Sequence, residues 1–317
     1  MLPSVPTLFI PELRLVPMNI MLIANPIAGG DARRKIEQAR ACLERRGCNV
    51  DLILTAARGD ARRAAVAARA GGVDRIVVAG GDGTLNEVVN GLAPSAIPLA
   101  FLPLGTTNVF ALEAGIPFEI ERACAIAVEG EPRRVCLGRA GQTRFLLMAG
   151  IGFDAEVVYR VSGRLKRLAG KAAYLASALG ALAGGAPPPI EVVREDGTVI
   201  RGYGAILGNG RLYGGRFSLT PDASLDEDCL DVCVFLLPGR LSLLRSAVTV
   251  AVGGRLGPPV ARMFKASSVT VRGEGVPVQI DGDHLGRLPM SFRALPGELV
   301  MVLPNHPRPL LIKQGST

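Results

Sequence analysis

The chain has no tryptophan and only two histidines, and Phe and Tyr together make up 4% of its 317 residues. Stacking platforms for single-stranded nucleic acid need aromatic side chains, so their scarcity argues against that class of partner. The histidines, His284 and His306, and the six cysteines, Cys42, Cys48, Cys124, Cys136, Cys229 and Cys233, form no CxxC pair and no Cys/His cluster. A Cys/His zinc site is thereby disfavoured, and isolated thiols in a reducing cytosol are the reading that remains. No run approaches the roughly 20 apolar residues of a membrane span. Residues 1–17 lack the basic start of a secretory leader and are broken by prolines. They are expected to be an extension of no assigned role, with Met18 as an alternative start. Two phosphate-binding signatures are also missing. There is no GxxxxGKS or GxxxxGKT loop, and no GxGxxG after the first strand.

What is present is a composition of 49% hydrophobic and 20% charged residues, with a net charge of +8. That length and mixture suit a globular chain of two domains. The basic balance favours anionic partners such as nucleotides or an acidic membrane surface. From Met18 the pattern is strand, loop, helix, repeated. Short apolar runs at Asn19–Ala24, Val50–Thr55, Arg75–Ala79 and Leu99–Leu102 read as buried strands, and Asp31–Arg46, Gly59–Ala70 and Thr84–Leu92 as helices. Such alternation predicts a parallel, doubly wound sheet. After about Val135 the texture changes. Strand-like runs at Arg144–Ala149, Ile190–Arg194, Ala205–Gly208, Leu230–Leu236, Ser268–Val271, Val276–Ile280 and Leu299–Leu303 predict a mostly antiparallel β domain, interrupted by one helical stretch over Val157–Leu182.

Ligands bind open parallel sheets at the carboxyl ends of the strands. Three loops at such ends are rich in glycine and small polar residues: NPIAGG (Asn25–Gly30), GGDGT (Gly80–Thr84) and PLGTTN (Pro103–Asn108). Glycines admit close backbone approach, and N–H groups at the following helix start attract phosphate. Asp82 stands where a Mg²⁺ on those phosphates needs an acid. A plainer account of the same segment is a capping box, with Thr84 as N-cap and Glu87 reaching back. Likewise Asp281-Gly282-Asp283 reads either as reactive carboxylates or as a hairpin turn with solvated acids. The basic stretch Tyr159–Lys171 suits anionic headgroups or a solvated helix face.

In order, Asn25-Pro26-x-x-Gly29, Gly80-Gly81-Asp82-Gly83-Thr84 and Pro103-x-Gly105-Thr106-x-Asn108 resemble the signature of the diacylglycerol kinase catalytic domain, which bacterial lipid kinases, sphingosine kinases and ceramide kinases share. The similarity continues through Gly150–Val157, Gly170–Tyr174, Thr220–Asp231 and Gln279–Asp283, covering about Met18 to Leu303. The resemblance implies an NAD kinase/phosphofructokinase-like first domain over 18–138 with the tail 304–317. It implies a β-sandwich second domain over 139–303 that binds lipid, with the active site between the two. It implies ATP contacts at Asn25, Pro26, Ile27, Ala28, Gly29, Thr55, Gly80, Gly81, Asp82, Gly83, Thr84, Leu85, Asn86 and Thr106. A structural Mg²⁺ would rest on the carbonyls of Leu225 and Leu230 and the side chain of Asp228. The base would be Asp281 or Asp283, and Asp82 is a third candidate. Oxygen-only ligands suit Mg²⁺ on chemical grounds.

This chain departs from the family pattern at five places. Val109 and Cys136 replace acids, Ala28 replaces a common Ser, Cys229 replaces a Gly and Asp283 replaces a Glu. A left-handed backbone at Cys229 would cost about 1 kcal/mol. The implied activity is ATP- and Mg²⁺-dependent phosphoryl transfer to a lipid hydroxyl, most simply that of diacylglycerol. Sphingoid-base, ceramide or phosphatidylglycerol kinases, an NAD kinase-like enzyme and a catalytically silent lipid- or nucleotide-binding regulator are the rivals. The expected setting is cytoplasmic and peripheral at the inner membrane face, with a lipid substrate met transiently, no nucleic acid partner and a homodimer as one possible assembly.

Overall fold

The computed structural model describes residues 17–152, 155–156, 187–215, 217–239, 242, 245–246, 248–249 and 254–305. The helix expected over Val157–Leu182, its basic stretch, residues 1–16 and all but the first two residues of the 304–317 tail lie outside them.

The first half runs β1 (Met18–Ala24), α1 (Ala32–Arg45), β2 (Cys48–Leu54), α2 (Asp60–Ala68), β3 (Arg75–Gly80), α3 (Asp82–Leu92), β4 (Leu99–Pro103), α4 (Val109–Ala114) and α5 (Ile120–Glu129). Strands β3 and β4 are buried at every position, as strands covered on both faces must be. In α1 the buried side chains Ile36, Ala39 and Leu43 recur at helical spacing. Strands β2, β1, β3 and β4 pair in parallel in that order. The chain moves outward from β1 to β2 and then crosses to β3 on the other side. The loops leaving β1 and β3 therefore flank the switch point, where an open sheet leaves a crevice.

The second half adds β5 (Glu131–Ala140), β6 (Thr143–Phe145), β7 (Met148–Gly152), β8 (Ile190–Arg194), β9 (Val199–Gly202), β10 (Gly204–Gly208), β11 (Leu212–Tyr213), β12 (Phe217–Ser218) and β13 (Leu230–Phe235). It ends with β14 (Ala261–Ala266), β15 (Ser268–Arg272), β16 (Pro277–Ile280), β17 (Asp283–Arg287) and β18 (Met290–Leu303). An antiparallel sheet in the order β14-β13-β10-β7-β16-β17 faces strands β5, β8, β15 and β18 across a core that includes Phe145, Phe292, Val192, Val271, Ile151, Leu207, Val232 and Val278. This is the expected sandwich. Strand β18 also serves the first half: its Met301 pairs in parallel with Leu99 of β4, while its flanks pair antiparallel with β5 and β15.

Three of the expected elements take a different form. The single run Arg144–Ala149 is two strands, because the backbone at Leu146, Leu147 and Met148 turns its N–H groups onto one carboxylate, that of Asp281. The run Leu299–Leu303 is the end of a 14-residue strand. Helix α3 starts at Asp82 with Gly81 at its N-cap and no side-chain cap. The capping-box account of Thr84 and Glu87 therefore fails. Glu87 instead accepts the N–H of Gly59, the residue before α2, at 2.9 Å.

Candidate active site

The three glycine loops meet at the carboxyl ends of β1, β3 and β4. Asn25 joins two of them: its Oδ1 accepts the Ile27 N–H at 3.0 Å, and its Nδ2 donates to Thr84 Oγ1 at 3.2 Å. A Cβ at Gly105 would lie 2.7 Å from Gly81 Cα and 2.7 Å from Asn108 Oδ1, so the second and third loops touch backbone to backbone only because glycine stands there. Both oxygens of Asp82 are engaged. They accept the Val109 N–H at 3.0 Å and the Phe110 N–H at 3.1 Å, so this acid caps α4 from the first turn of α3. Position 109 thus acts through its backbone.

Of the residues expected to meet ATP, Gly29, Gly83 and Thr106 are exposed, Ile27 is 73% exposed, and Pro26 and Thr55 are half-buried at the same sheet end. The Thr55 N–H extends the β1 ladder to Ala24. Ala28, Gly80 and Thr84 are buried in the loop packing. Leu85 is different: its side chain lies in the core and its N–H bonds Gly81 O, so it supports the loop from beneath.

Asp281 opens the two-residue turn of the β16–β17 hairpin. It and Gly282 both have positive φ, 45° and 84°, as a type I′ turn requires. The hairpin reading is right, but this acid is half-buried and bonded to the chain rather than freely solvated. Its carboxylate accepts three backbone N–H groups, from Leu146 at 2.7 Å, Leu147 at 2.9 Å and Met148 at 3.0 Å, and Asn86 Nδ2 lies 3.4 Å away. Burial raises its pKa to about 6 despite those donors, and the charge of Asp82 pushes the same way. Asn86 sits one turn after Asp82 on α3, so one helix face joins the GGDGT loop to the hairpin. Asp283 is half-exposed and pairs with Arg58 at 3.5 Å across the mouth of the crevice.

In the Thr220–Asp231 loop, Asp222 pairs with Arg255, Asp226 with Arg133, and Glu227 and Asp231 with Lys265. Asp228 is exposed and, alone of the five acids, makes no ion pair among the described residues. The Leu225 carbonyl accepts the Cys136 N–H at 2.7 Å, which leaves it one lone pair, and Leu230 begins β13. Two carbonyls and one carboxylate fit Mg²⁺ that retains several waters. The strain expected at Cys229 is not there: the non-glycine residues of positive φ among those described are Asp31, Asn108 and Asp281. Cys136 is buried, which raises its thiol to about 11, so it supplies no charge where the family pattern leads one to expect an acid.

Sequence reasoning passed over several polar contributors. Asn90 Nδ2 reaches Asn86 Oδ1 at 2.7 Å and Arg144 O at 3.0 Å, holding α3 against β6. Buried Asn209 donates to Cys136 O and Leu146 O, bracing the strand break around Asp281. Glu113 on α4 receives Arg211 Nε and Leu212 N–H, each at 2.9 Å, which fastens α4 to β11. The only signal for the asparagines was their placement, at helical spacing from Asn86 and beside Gly210.

Comparison with known proteins matches both halves of the chain. The family model for the diacylglycerol kinase catalytic domain matches residues 19–140, and that for the YegS C-terminal NAD kinase beta sandwich-like domain matches residues 148–303. A diacylglycerol kinase of Bacillus subtilis is 32% identical over 90% of this chain and 96% of its own. A probable lipid kinase YegS-like protein of Pseudomonas putida is 36% identical over 85% and 90%. A crystal structure of a diacylglycerol kinase from Bacillus anthracis superimposes with a TM-score of 0.71 at 26% identity, covering 90% of this chain and 97% of that one. With both halves matched and relatives this similar along most of their length, the chain belongs to the diacylglycerol kinase catalytic-domain family of lipid kinases.

Proposed function

We propose that the protein transfers the γ-phosphoryl group of ATP, with Mg²⁺, to the hydroxyl of a lipid, most simply diacylglycerol, giving phosphatidic acid. The observation that carries this reading is the convergence of the glycine loops and Asp281 on one face of α3, with Asp82 in its first turn and Asn86 a turn later beside the hairpin acid. Asn25, Thr55, the exposed glycines and Thr106 would hold the triphosphate, with Ile27 offering apolar surface to the rest of the nucleotide. Mg²⁺, when bound, would neutralise phosphate charge, and Asp82, whose two oxygens each keep a lone pair beyond the one given to α4, would be the side chain to hold it. The acceptor hydroxyl oxygen forms its bond to the γ-phosphorus as the bond to the ADP oxygen breaks, and Asp281 takes the hydroxyl proton. A carboxylate of pKa about 6 is ionised at neutral pH yet basic enough for that task. Asp283, paired with Arg58, sits at the rim and orients the acceptor. The acceptor is a lipid met transiently at a membrane surface. Among the described residues no helix is long and apolar enough to cross one.

The test is incubation of purified protein with labelled ATP and Mg²⁺ against diacylglycerol, ceramide, a sphingoid base, phosphatidylglycerol and NAD in parallel. Labelled phosphatidic acid is expected. Label in another lipid would move the acceptor, and label in NAD alone would overturn lipid kinase activity. ATP binding without any labelled product would favour the regulatory reading, which Val109 and Cys136 otherwise support.

A further inference from the structure

Away from the crevice, the outward face of the large sheet holds a cavity of about 150 Å³ lined by Arg139, Gly141, Ser268, Thr270, Ser291 and Arg293 together with backbone of Val269 and Phe292. The register explains the grouping. Arg139 of β5 stands directly opposite Arg293 of β18, Arg293 opposite Ser268 of β15, and Thr270 opposite Ser291. Side chains alternate along a strand, so Ala140, Phe292 and Val269 go to the sandwich core and leave the two guanidinium groups and three hydroxyls on the other face. Like charges opposite one another across a strand pair are destabilising. The nearest acid is Glu195, at the edge of the cavity beside Ser268. Neither arginine makes an ion pair among the described residues, and no acid lines the cavity. Arg144, opposite Arg139 on its far side, is committed to Glu298 at 2.6 Å. Glu195 feels the field of Arg293, and its carboxylate is held by Ser267 Oγ at 2.8 and 2.9 Å and by Ser268, so it offsets part of one guanidinium charge and occupies the Ser268 hydroxyl.

We propose that this face binds an oxyanion of the phosphate-monoester class, gripped by Arg139 and Arg293 and by the hydrogen-bonded hydroxyl pair of Thr270 and Ser291. Two planar guanidinium forks with short hydroxyl donors between them match tetrahedral phosphate oxygens. The volume suits a headgroup phosphate; sites for larger ligands run to about 300–1,000 Å³, so a second nucleotide does not fit. Such a group can arrive on a lipid or as free phosphate.

The inference stands independently of the kinase reading and is tested without turnover. The probes are inorganic phosphate by calorimetry, and flotation with vesicles of phosphatidylcholine alone or containing phosphatidic acid. The wild type is compared with Arg139→Gln/Arg293→Gln and with Arg139→Lys/Arg293→Lys, since both side chains are on the surface and neither belongs to the crevice. The expected result is at least a tenfold weakening in the Gln pair and partial recovery in the Lys pair. Loss confined to the phosphatidic acid vesicles assigns a lipid headgroup, and loss with inorganic phosphate assigns the free ion. If the wild type binds neither probe, or the Gln pair binds both as the wild type does, the site is refuted.

Discussion

In the proposed mechanism Asp281 is the base, and its surroundings pull it two ways. Three backbone donors favour its anion, while burial and the neighbouring Asp82 favour the acid, and the latter prevail to give a pKa of about 6. Removing the base with Asp281→Asn should lower kcat/KM by about 10²–10⁴-fold, measured as labelled phosphatidic acid. In the wild type kcat/KM should rise with pH through about 6 and then level. Stability should move oppositely. Between 3.8 and about 6 the folded protein keeps a proton that the unfolded chain has lost, so this group's contribution falls as pH rises, by about 3 kcal/mol in all, and is constant above that window. Denaturant titrations from pH 4 to 7 should show that slope, and Asp281→Asn should flatten it. The identity of this acid was legible in the sequence, as part of a motif shared with a family. Its setting was not, because the donors at Leu146, Leu147 and Met148 lie 133–135 residues away and are backbone groups with no signature.

At the scale of elements, α3 is the part that gathers the site. It carries Asp82, Asn86 and Asn90, and with Glu87 it also fixes the loop before α2. The loop contacts around it leave no room for added bulk. Gly105→Ala should place a methyl against Gly81 and Asn108, cost about 1–3 kcal/mol by thermal or chemical melting and weaken binding of a fluorescent ATP analogue at least tenfold. Strands β1 to β4 were readable because a buried parallel strand is a short unbroken apolar run bounded by turn residues. Helix α5 and strand β5 were not. The first is short and rich in alanine, and the second begins Glu-Pro-Arg-Arg, whose polar side chains obscure a strand that β18 holds in place by its backbone.

For the whole molecule, charge falls into local arrangements: paired acids in the Thr220–Asp231 loop, and arginines without an ion pair on the outer sheet face. The unpaired Asp228 makes a measurable statement about metal. If that loop holds Mg²⁺, chelation should lower the melting temperature by a few degrees and Mg²⁺ should restore it, whereas Asp228→Asn should melt at the lower temperature with or without the ion. A melting curve indifferent to both would remove the metal from that loop.

Strand β18 has one more effect. A fragment ending near residue 140 would contain every glycine loop and yet leave the hydrogen-bonding edge of β4 bare, since the neighbour that covers it lies about 200 residues downstream. Bare apolar edges recruit other chains. The first half is therefore no free-standing module to be excised, fused or exchanged, and a cut between the halves, even at a surface loop, is expected to yield aggregate rather than two working parts.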